Sequence, residues 1–376
     1  MALFLVIVVI PYAMFDKPES AIDQGKTEKA TVTRILEERV QQGPNGRELY
    51  QRLELQINGQ PVAIERTVGE NDTRNIEINA DDKVLVTSAP AGANGETTYF
   101  ISDRARDGSL LILLIAFAAV VILVARWQGA LSLVGMGLSL LVILRFIIPG
   151  IVDGYDPVLI SIIGAAVIMA ASLYLSHGIN RKTTTAFLGT GIALALTAVL
   201  AAIGIGITQL SGLADQQAAT LRVITDTGIE PEGLLLAGII IGALGVLDDV
   251  CVAQASAVFE LKAANPALHG WDLFERAMNI GRDHIASTVN TLFLAYAGAA
   301  LPLMIILSLG TEPTSVLLNR DFLATEIVRT LVGSIGIVAS VPLTTALAAW
   351  SLGVSPDEPG RNPHPHPSPG SGEGSS

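Results

Sequence analysis

The sequence is poor in cysteine, in charge and in basic residues, and each shortage excludes a class of protein. Cys251 is the only cysteine among 376 residues, so neither a disulfide within the chain nor a thiolate metal cluster can form. Charged residues make up 15% of the chain, whereas a soluble domain has about 25%. The net charge of -12 offers no basic face to a nucleic acid. These shortages exclude a soluble enzyme, a nucleic-acid-binding protein and a secreted disulfide scaffold.

The few charges are also unevenly distributed along the chain. Residues 16–108 contain 29 of the 58 charged side chains, and residues 109–376 spread the other 29 over a much longer stretch. Hydrophobic residues make up 50% of the whole sequence. The pattern predicts an all-α polytopic membrane bundle of about eight transmembrane helices with a small β-rich domain over residues 16–108.

Long apolar runs predict the membrane helices. Residues 1–15 predict the first of them, although the run is short and contains Pro11. A cleaved signal peptide is the alternative, but no basic segment precedes the run. Residues 109–350 predict a seven-helix membrane domain, and residues 351–376, rich in Pro, Gly and Ser, predict a disordered tail. The seven spans are predicted at 109–125, 130–148, 158–177, 186–208, 233–258, 286–309 and 323–350.

Lysine and arginine in the short loops predict the orientation of these helices. One set of alternate loops, with the tail, contains Arg126, Arg181, Lys182, Lys262, Arg276, Arg282 and Arg361. The other set contains only Arg222 and Arg320. Because basic loops stay in the cytoplasm, both termini are predicted to be cytoplasmic and residues 16–108 extracytoplasmic.

The polar segment has the alternation typical of β-strands. Leu53, Leu55 and Ile57 alternate with polar residues, Asn58-Gly59 follows directly, and a second alternating run begins after it. This pattern predicts a hairpin with a type I′ turn. Further strands are predicted at 30–36, 83–87 and 97–102, which together suggest a small barrel or sandwich. No catalytic motif occurs there, so we expect a module that binds or scaffolds an envelope protein partner.

Two adjacent aspartates interrupt the span 233–258. Asp248 and Asp249 lie just past its midpoint, where each carboxylate costs about 2.5 to 3.5 kcal/mol on insertion scales. Successive helical residues point about 100° apart, so the two side chains diverge, and at least one is expected to carry a proton in a low dielectric. Asp249 shares a stripe with small residues, which predicts close packing of a neighbouring helix there. The other members of the stripe are Gly238, Gly242, Gly245 and Ser256.

Polar residues at the start of the next span are the predicted partners of the aspartates. Asn290 and Thr291 fall at a similar depth, and His284 lies at the cytoplasmic end, where it can exchange protons with water. Gly298 lies on the same stripe as Thr291 and is a further predicted packing residue.

A variant of this hypothesis is that the same polar residues bind a divalent cation. Asp248, Asp249, Asn290 and Thr291 supply oxygen ligands that suit Mg²⁺ or Mn²⁺. Adjacent helical carboxylates reach one ion only if the helix unwinds near Gly245. The sequence leaves open whether a metal binds.

Two stretches carry a family resemblance. Gly242 to Leu261 reads GALGVLDDVCVAQASAVFEL, and Ile280 to Leu303 reads IGRDHIASTVNTLFLAYAGAALPL. They resemble the signature of the YibE/F-like family of bacterial multi-pass membrane proteins. The resemblance implies the architecture and a place in the bacterial inner membrane, but it implies no substrate.

The run from Gly245 to Val250 is also similar to a segment of resistance-nodulation-division exporters, in which paired aspartates relay protons. In those exporters a lysine on a neighbouring helix interacts with the aspartates. No lysine occurs within any predicted span here. This similarity implies proton coupling and nothing about the cargo.

The sequence therefore predicts a secondary transporter or permease for an unknown small solute or ion, and not an enzyme. No G-x-x-x-x-G-K-[ST] loop occurs, so the driving force is an ion gradient or a separate partner, and no cofactor is predicted. An intramembrane aspartyl protease fails because Asp156 and Asp249 differ in depth by about 15 to 20 Å. A non-transporting assembly, envelope or signalling factor stays open as the alternative, as does homo-oligomerisation in the lipid bilayer.

Overall fold

A computed structural model of the chain describes residues 26–43, 46–69, 78–91, 96–214, 220–221 and 228–353. They form two compact units that divide between Leu133 and Val134. The first unit contains a β-sheet and the beginning of a long helix, and the second contains the remaining helices. The predicted helix at residues 1–15 and nearly all of the predicted tail lie outside the described residues.

The sheet of the first unit is antiparallel and has the strand order β3-β2-β1-β4-β5. Its strands are β1 (Lys26–Gly43), β2 (Gly46–Ile57), β3 (Gln60–Gly69), β4 (Lys83–Ala91) and β5 (Glu96–Arg104). The edge strands β3 and β5 contact each other, so the sheet curls into a half-barrel. The predicted strands are confirmed, but the described residues form one curled sheet and neither a closed barrel nor a sandwich.

The hairpin between β2 and β3 shows why these residues form strands. In β2, Leu53 and Leu55 are fully buried, while Arg52, which precedes Leu53, is exposed, as period-two alternation requires. Asn58 has a φ of 50° and Gly59 a φ of 83°, and a type I′ turn needs positive φ at both positions. The predicted hairpin is confirmed.

The helical elements of the described residues follow the sheet. They are α1 (Asp107–Val142), a π-helical turn (Ile143–Ile147), α2 (Ile148–Val152), α3 (Pro157–His177), α4 (Arg181–Thr208), α5 (Pro231–Ala264), α6 (Gly270–Ala299), α7 (Leu301–Leu309), α8 (Thr314–Leu317) and α9 (Asp321–Gly353). Among them, five stretches are long and apolar enough to cross a membrane, and the bent pair α6–α7 makes a sixth if it counts as one span. This confirms a mostly helical protein with several long apolar helices.

Two breaks interrupt these helices. Arg126 has a φ of 52° and a ψ of -130° inside α1, which places a kink in the loop predicted at 126–129. The second break lies within the span predicted at 286–309. The helix begins earlier, at Gly270, and turns by 61° between α6 and α7. Pro302 in the first turn of α7 has no N–H to continue the hydrogen-bond ladder, which explains the break.

Helix α5 lies at the centre of the second unit, where it contacts α3, α4, α6 and α9. Its buried face includes Leu247, Val250 and Cys251. Because four helices contact α5, this buried face is enclosed by protein, whereas Gly238, Gly242 and Gly245 on another side of the helix are exposed.

Helices α4 and α9 approach each other closely through small residues. A Cβ atom placed on Gly336 would clash with Thr197, whose own Cβ would be 3.2 Å away, and one on Gly189 would clash with Thr344. Glycine at these positions lets each helix accept a threonine from the other. The contact holds α4 and α9 against α5 and brings their hydroxyl side chains to the centre of the unit.

Candidate functional site

Hydroxyl and amide side chains are buried where α4, α5 and α9 meet. Thr190, Gln254, Ser340 and Thr344 are each at most 2% exposed. Polar residues inside apolar helices are rare, and they mark either close packing or function. Several of the hydroxyls donate back to their own helix, as Thr190 Oγ1 does to the Ala186 carbonyl at 3.0 Å. Their oxygen lone pairs stay available to a neighbouring group.

Asp248 and Cys251 of α5 face this region. They are three positions apart in the sequence, which places them about one turn apart on the same side of the helix. The Cys251 thiol is fully buried, and the hydroxyls of Thr190, Ser340 and Thr344 lie within its reach. We call the set Asp248, Cys251, Thr190, Ser340 and Thr344 the polar core.

The carboxylate of Asp248 is incompletely satisfied. The residue is half-buried, yet its Oδ1 atom is buried and has no hydrogen-bond partner among the described residues. Buried polar atoms in folded proteins nearly always have a partner, and leaving one without costs about 1 to 3 kcal/mol. A carboxylate in this position is therefore set up to accept a proton or another cationic ligand.

Asp249 occupies a different environment from its neighbour. It is exposed, and its charge acts on His177 at the end of α3, which is also exposed. The two aspartates also act on each other electrostatically. The pair thus connects the polar core on one side of α5 with an open, charged face on the other.

The glycine stripe next to Asp249 is open in the described chain. Gly238, Gly242 and Gly245 are exposed, and a Cβ atom added to any of them would meet nothing within 4 Å. The same is true of Gly298. No described helix of the same chain packs closely there. A packing role for these glycines stays a prediction for contacts with another molecule.

The polar residues predicted on α6 point away from the polar core. His284, Asn290 and Thr291 are exposed, and no hydrogen bond or ion pair joins them to the aspartates within the part of the chain that the structure describes. The apolar side of α6 packs inward instead, through Ile285 and Val289. The structure places Ser256 as partly buried on α5, about two turns beyond Asp249.

The metal hypothesis depended on an unwound helix, and α5 is unbroken at Gly245. In the described ranges, no group of three or more His, Cys, Asp or Glu side chains lies close enough to hold a metal ion. The arrangement of Asp248 and Asp249 on diverging sides of one helix suits two separate proton sites better than one shared ion.

Gln254 is a site residue that the sequence reasoning missed. Its Nε2 donates to the Ala277 carbonyl of α6 at 3.0 Å and to Thr345 Oγ1 of α9 at 2.7 Å. The side chain thereby joins three helices beneath the polar core. The sequence contained one signal for it: Asp248, Cys251 and Gln254 follow one another at intervals of three, which places them near one side of the helix.

Cys251 permits a direct test of how closed the polar core is. We expect a maleimide to react with the folded chain at least about 100-fold more slowly than with the unfolded chain, because exposing the thiol requires an opening that costs about 3 kcal/mol or more. Mass spectrometry of the intact protein, with and without denaturing detergent, measures this. Since the chain has no other cysteine, each adduct reports on this site alone. Equally fast reaction of the folded chain would contradict the burial of Cys251.

The family model described as YibE/F-like protein matches residues 113–353. The chain belongs to the YibE/F-like family. No curated protein and no solved structure matches it. The YibE/F-like region begins in α1, after the β-sheet, and ends with α9, so it includes Asp248, Asp249, the polar core and the α6–α7 bend.

Proposed function

We propose that this YibE/F-like protein is a secondary transporter of the bacterial inner membrane that couples the movement of a small solute or ion to protons through Asp248. The observation that carries the proposal is the buried Asp248 Oδ1 atom, which has no hydrogen-bond partner among the described residues and lies one helical turn from Cys251 and the hydroxyls around its thiol. Proton relays inside membrane proteins use carboxylates placed in this way.

The free-energy cost of burying the Asp248 carboxylate favours a functional role over a structural one. An asparagine or leucine at this position would avoid the cost of burying a carboxylate, and nothing in the packing of α5 requires a charge there. A group that is costly when ionised and acceptable when protonated can alternate between the two states. That alternation is what a proton-coupled transporter needs.

Asp249 and His177 provide the route between Asp248 and water. Both are exposed and lie close enough for their charges to interact. Histidine titrates near neutral pH, so it can pass protons between solvent and a carboxylate. In this scheme His177 takes the role at the entrance that the sequence suggested for His284.

The proposed topology has eight spans. At 1.5 Å per residue, the 46 residues of Asp107–Val152 extend about 69 Å, more than twice the about 30 Å of a bilayer core. We propose that the kink at Arg126 divides this stretch into two spans. Segment 1–15, α3, α4, α5, the bent pair α6–α7 and α9 supply the other six, with both termini in the cytoplasm and the β-sheet outside.

A transport assay in everted membrane vesicles tests this function. Respiration acidifies the vesicles, a fluorescent dye reports the pH gradient, and chloride salts of Na⁺, K⁺, Mg²⁺, Mn²⁺ and Zn²⁺ are added in turn, followed by a panel of organic solutes. We expect at least one addition to collapse the gradient in vesicles with the wild-type chain and not in vesicles with Asp248→Asn. Absence of any response specific to the wild-type chain would reject proton-coupled transport and favour the partner-binding alternative.

A further inference from the structure

A cavity lies away from the polar core, between the α6–α7 bend and α9. Its volume is about 210 Å³, and it is open on one side. The wall is mostly apolar, with Phe293, Ala297, Met304, Ile327 and Leu331 among its residues. An apolar cavity of about 150 Å³ already takes up benzene, so this one has room for a short piece of hydrocarbon chain.

The bend explains why the cavity exists. The backbone N–H of Ala300 closes the end of α6 on the Tyr296 carbonyl at 2.9 Å, and α7 then turns away by 61°. No residue of α7 is buried. The turn therefore leaves a gap beside α9 that no described side chain fills.

One carboxylate of the cavity wall is paired with a neighbouring guanidinium. Glu326 is part of the wall, and its Oε1 accepts a hydrogen bond from Arg329 Nη1 at 2.7 Å. Both side chains are about 30% exposed. Tyr296 also lines the cavity, and both charges act on its hydroxyl. The ion pair thus borders the apolar cavity.

We propose that this cavity binds a zwitterionic phospholipid of the phosphatidylethanolamine type. Part of one acyl chain fills the cavity, the phosphate accepts hydrogen bonds from the remaining guanidinium N–H groups of Arg329, and the primary ammonium donates to Glu326. The proposal rests on the membrane location given above and is independent of transport.

The charges distinguish this lipid from its relatives. A lipid with an anionic head group, such as phosphatidylglycerol, would bring its phosphate to Arg329 but offer Glu326 no cation. A choline head group is cationic, but its quaternary ammonium has no N–H to donate, so it loses the charge-assisted hydrogen bond. The site should therefore prefer a primary ammonium.

Native mass spectrometry of the full-length protein, purified in detergent, tests the proposal. Phosphatidylethanolamine, phosphatidylcholine and phosphatidylglycerol with identical acyl chains are titrated separately. We expect one tightly retained phosphatidylethanolamine per chain, bound at least about tenfold more strongly than the other two, which corresponds to about 1.4 kcal/mol. Equal retention of the three lipids would overturn the proposal.

Substitutions in the cavity wall test whether the lipid binds there. Ala297→Trp fills the cavity and should reduce phosphatidylethanolamine retention about tenfold, whereas the matched change Ala295→Trp, at an exposed position outside the cavity wall, should not. Glu326→Gln keeps the cavity and should remove the preference over phosphatidylcholine. If Ala297→Trp does not fold, judged by thermal melting, the Glu326→Gln result decides alone. A preference that survives Glu326→Gln rejects the site, whatever the transport assay shows.

Discussion

Asp248→Asn should lower the rate of proton-coupled transport at least about 100-fold, the range in which removal of a proton-transfer group slows a reaction. Asparagine has nearly the same size as aspartate but cannot carry a transferable proton. It is also cheaper to bury than a carboxylate, so the variant should insert and fold at least as well as the wild-type chain. The vesicle assay measures the rate, and size-exclusion chromatography in detergent checks the fold.

Two further variants separate proton transfer from a general effect of the substitution. Asp248→Glu keeps the carboxylate on a longer side chain and should retain part of the activity. Asp249→Asn should cause a smaller loss than Asp248→Asn, because Asp249 is exposed and water can replace it. Full activity in the Asp248→Asn variant, with normal folding, would leave the carboxylate without a role in transport.

Gly336→Ala should destabilise the helical unit by about 1 to 3 kcal/mol, the usual cost of inserting a methyl group into a closely packed contact. The new Cβ would meet Thr197, which is fully buried and whose Oγ1 donates to the Ala193 carbonyl at 2.7 Å. The threonine cannot move without losing that hydrogen bond or displacing α4. Thermal melting in detergent should show a decrease of several degrees.

Gly242→Ala is the matched control for this prediction. It also adds one methyl group to a glycine in a long apolar helix, but the methyl group would meet nothing within 4 Å. We expect its melting temperature to equal or slightly exceed that of the wild-type chain, because alanine favours a helix more than glycine does. A comparable loss in both variants would mean that the stripe on α5 is packed against a second molecule. Equal stability of Gly336→Ala and wild type would contradict the close contact of α4 and α9.

Local patterns in the sequence predicted much of the fold because they depend on neighbours along the chain. The alternation of Leu53 and Leu55 with polar residues and the Asn58-Gly59 turn determine a hairpin without help from distant residues. Long apolar runs likewise determine helices. The kink at Arg126 also falls where a charged residue separates two apolar runs.

The candidate site was harder to predict because helical periodicity tells which residues share a face and not which face is covered. Gly242 and Gly336 both lie among small residues of long helices, yet of the two only Gly336 closely approaches another residue in the described part of the chain. The polar stripe of α6 was expected to face the aspartates, but its apolar side packs inward. Asp248 could be selected from the sequence because a carboxylate is unusual inside an apolar helix, whereas the buried partners of Cys251 come from α4 and α9, about 60 and 90 residues away along the chain.

Proton movement in liposomes that contain only the purified chain tests proton coupling through Asp248 without any other protein. A pH-sensitive dye is trapped inside, and the salt or solute that gave a response in membrane vesicles is added outside. We expect a change of internal pH with the wild-type chain and none with Asp248→Asn. Proton movement at the wild-type rate with Asp248→Asn would rule out proton coupling through Asp248.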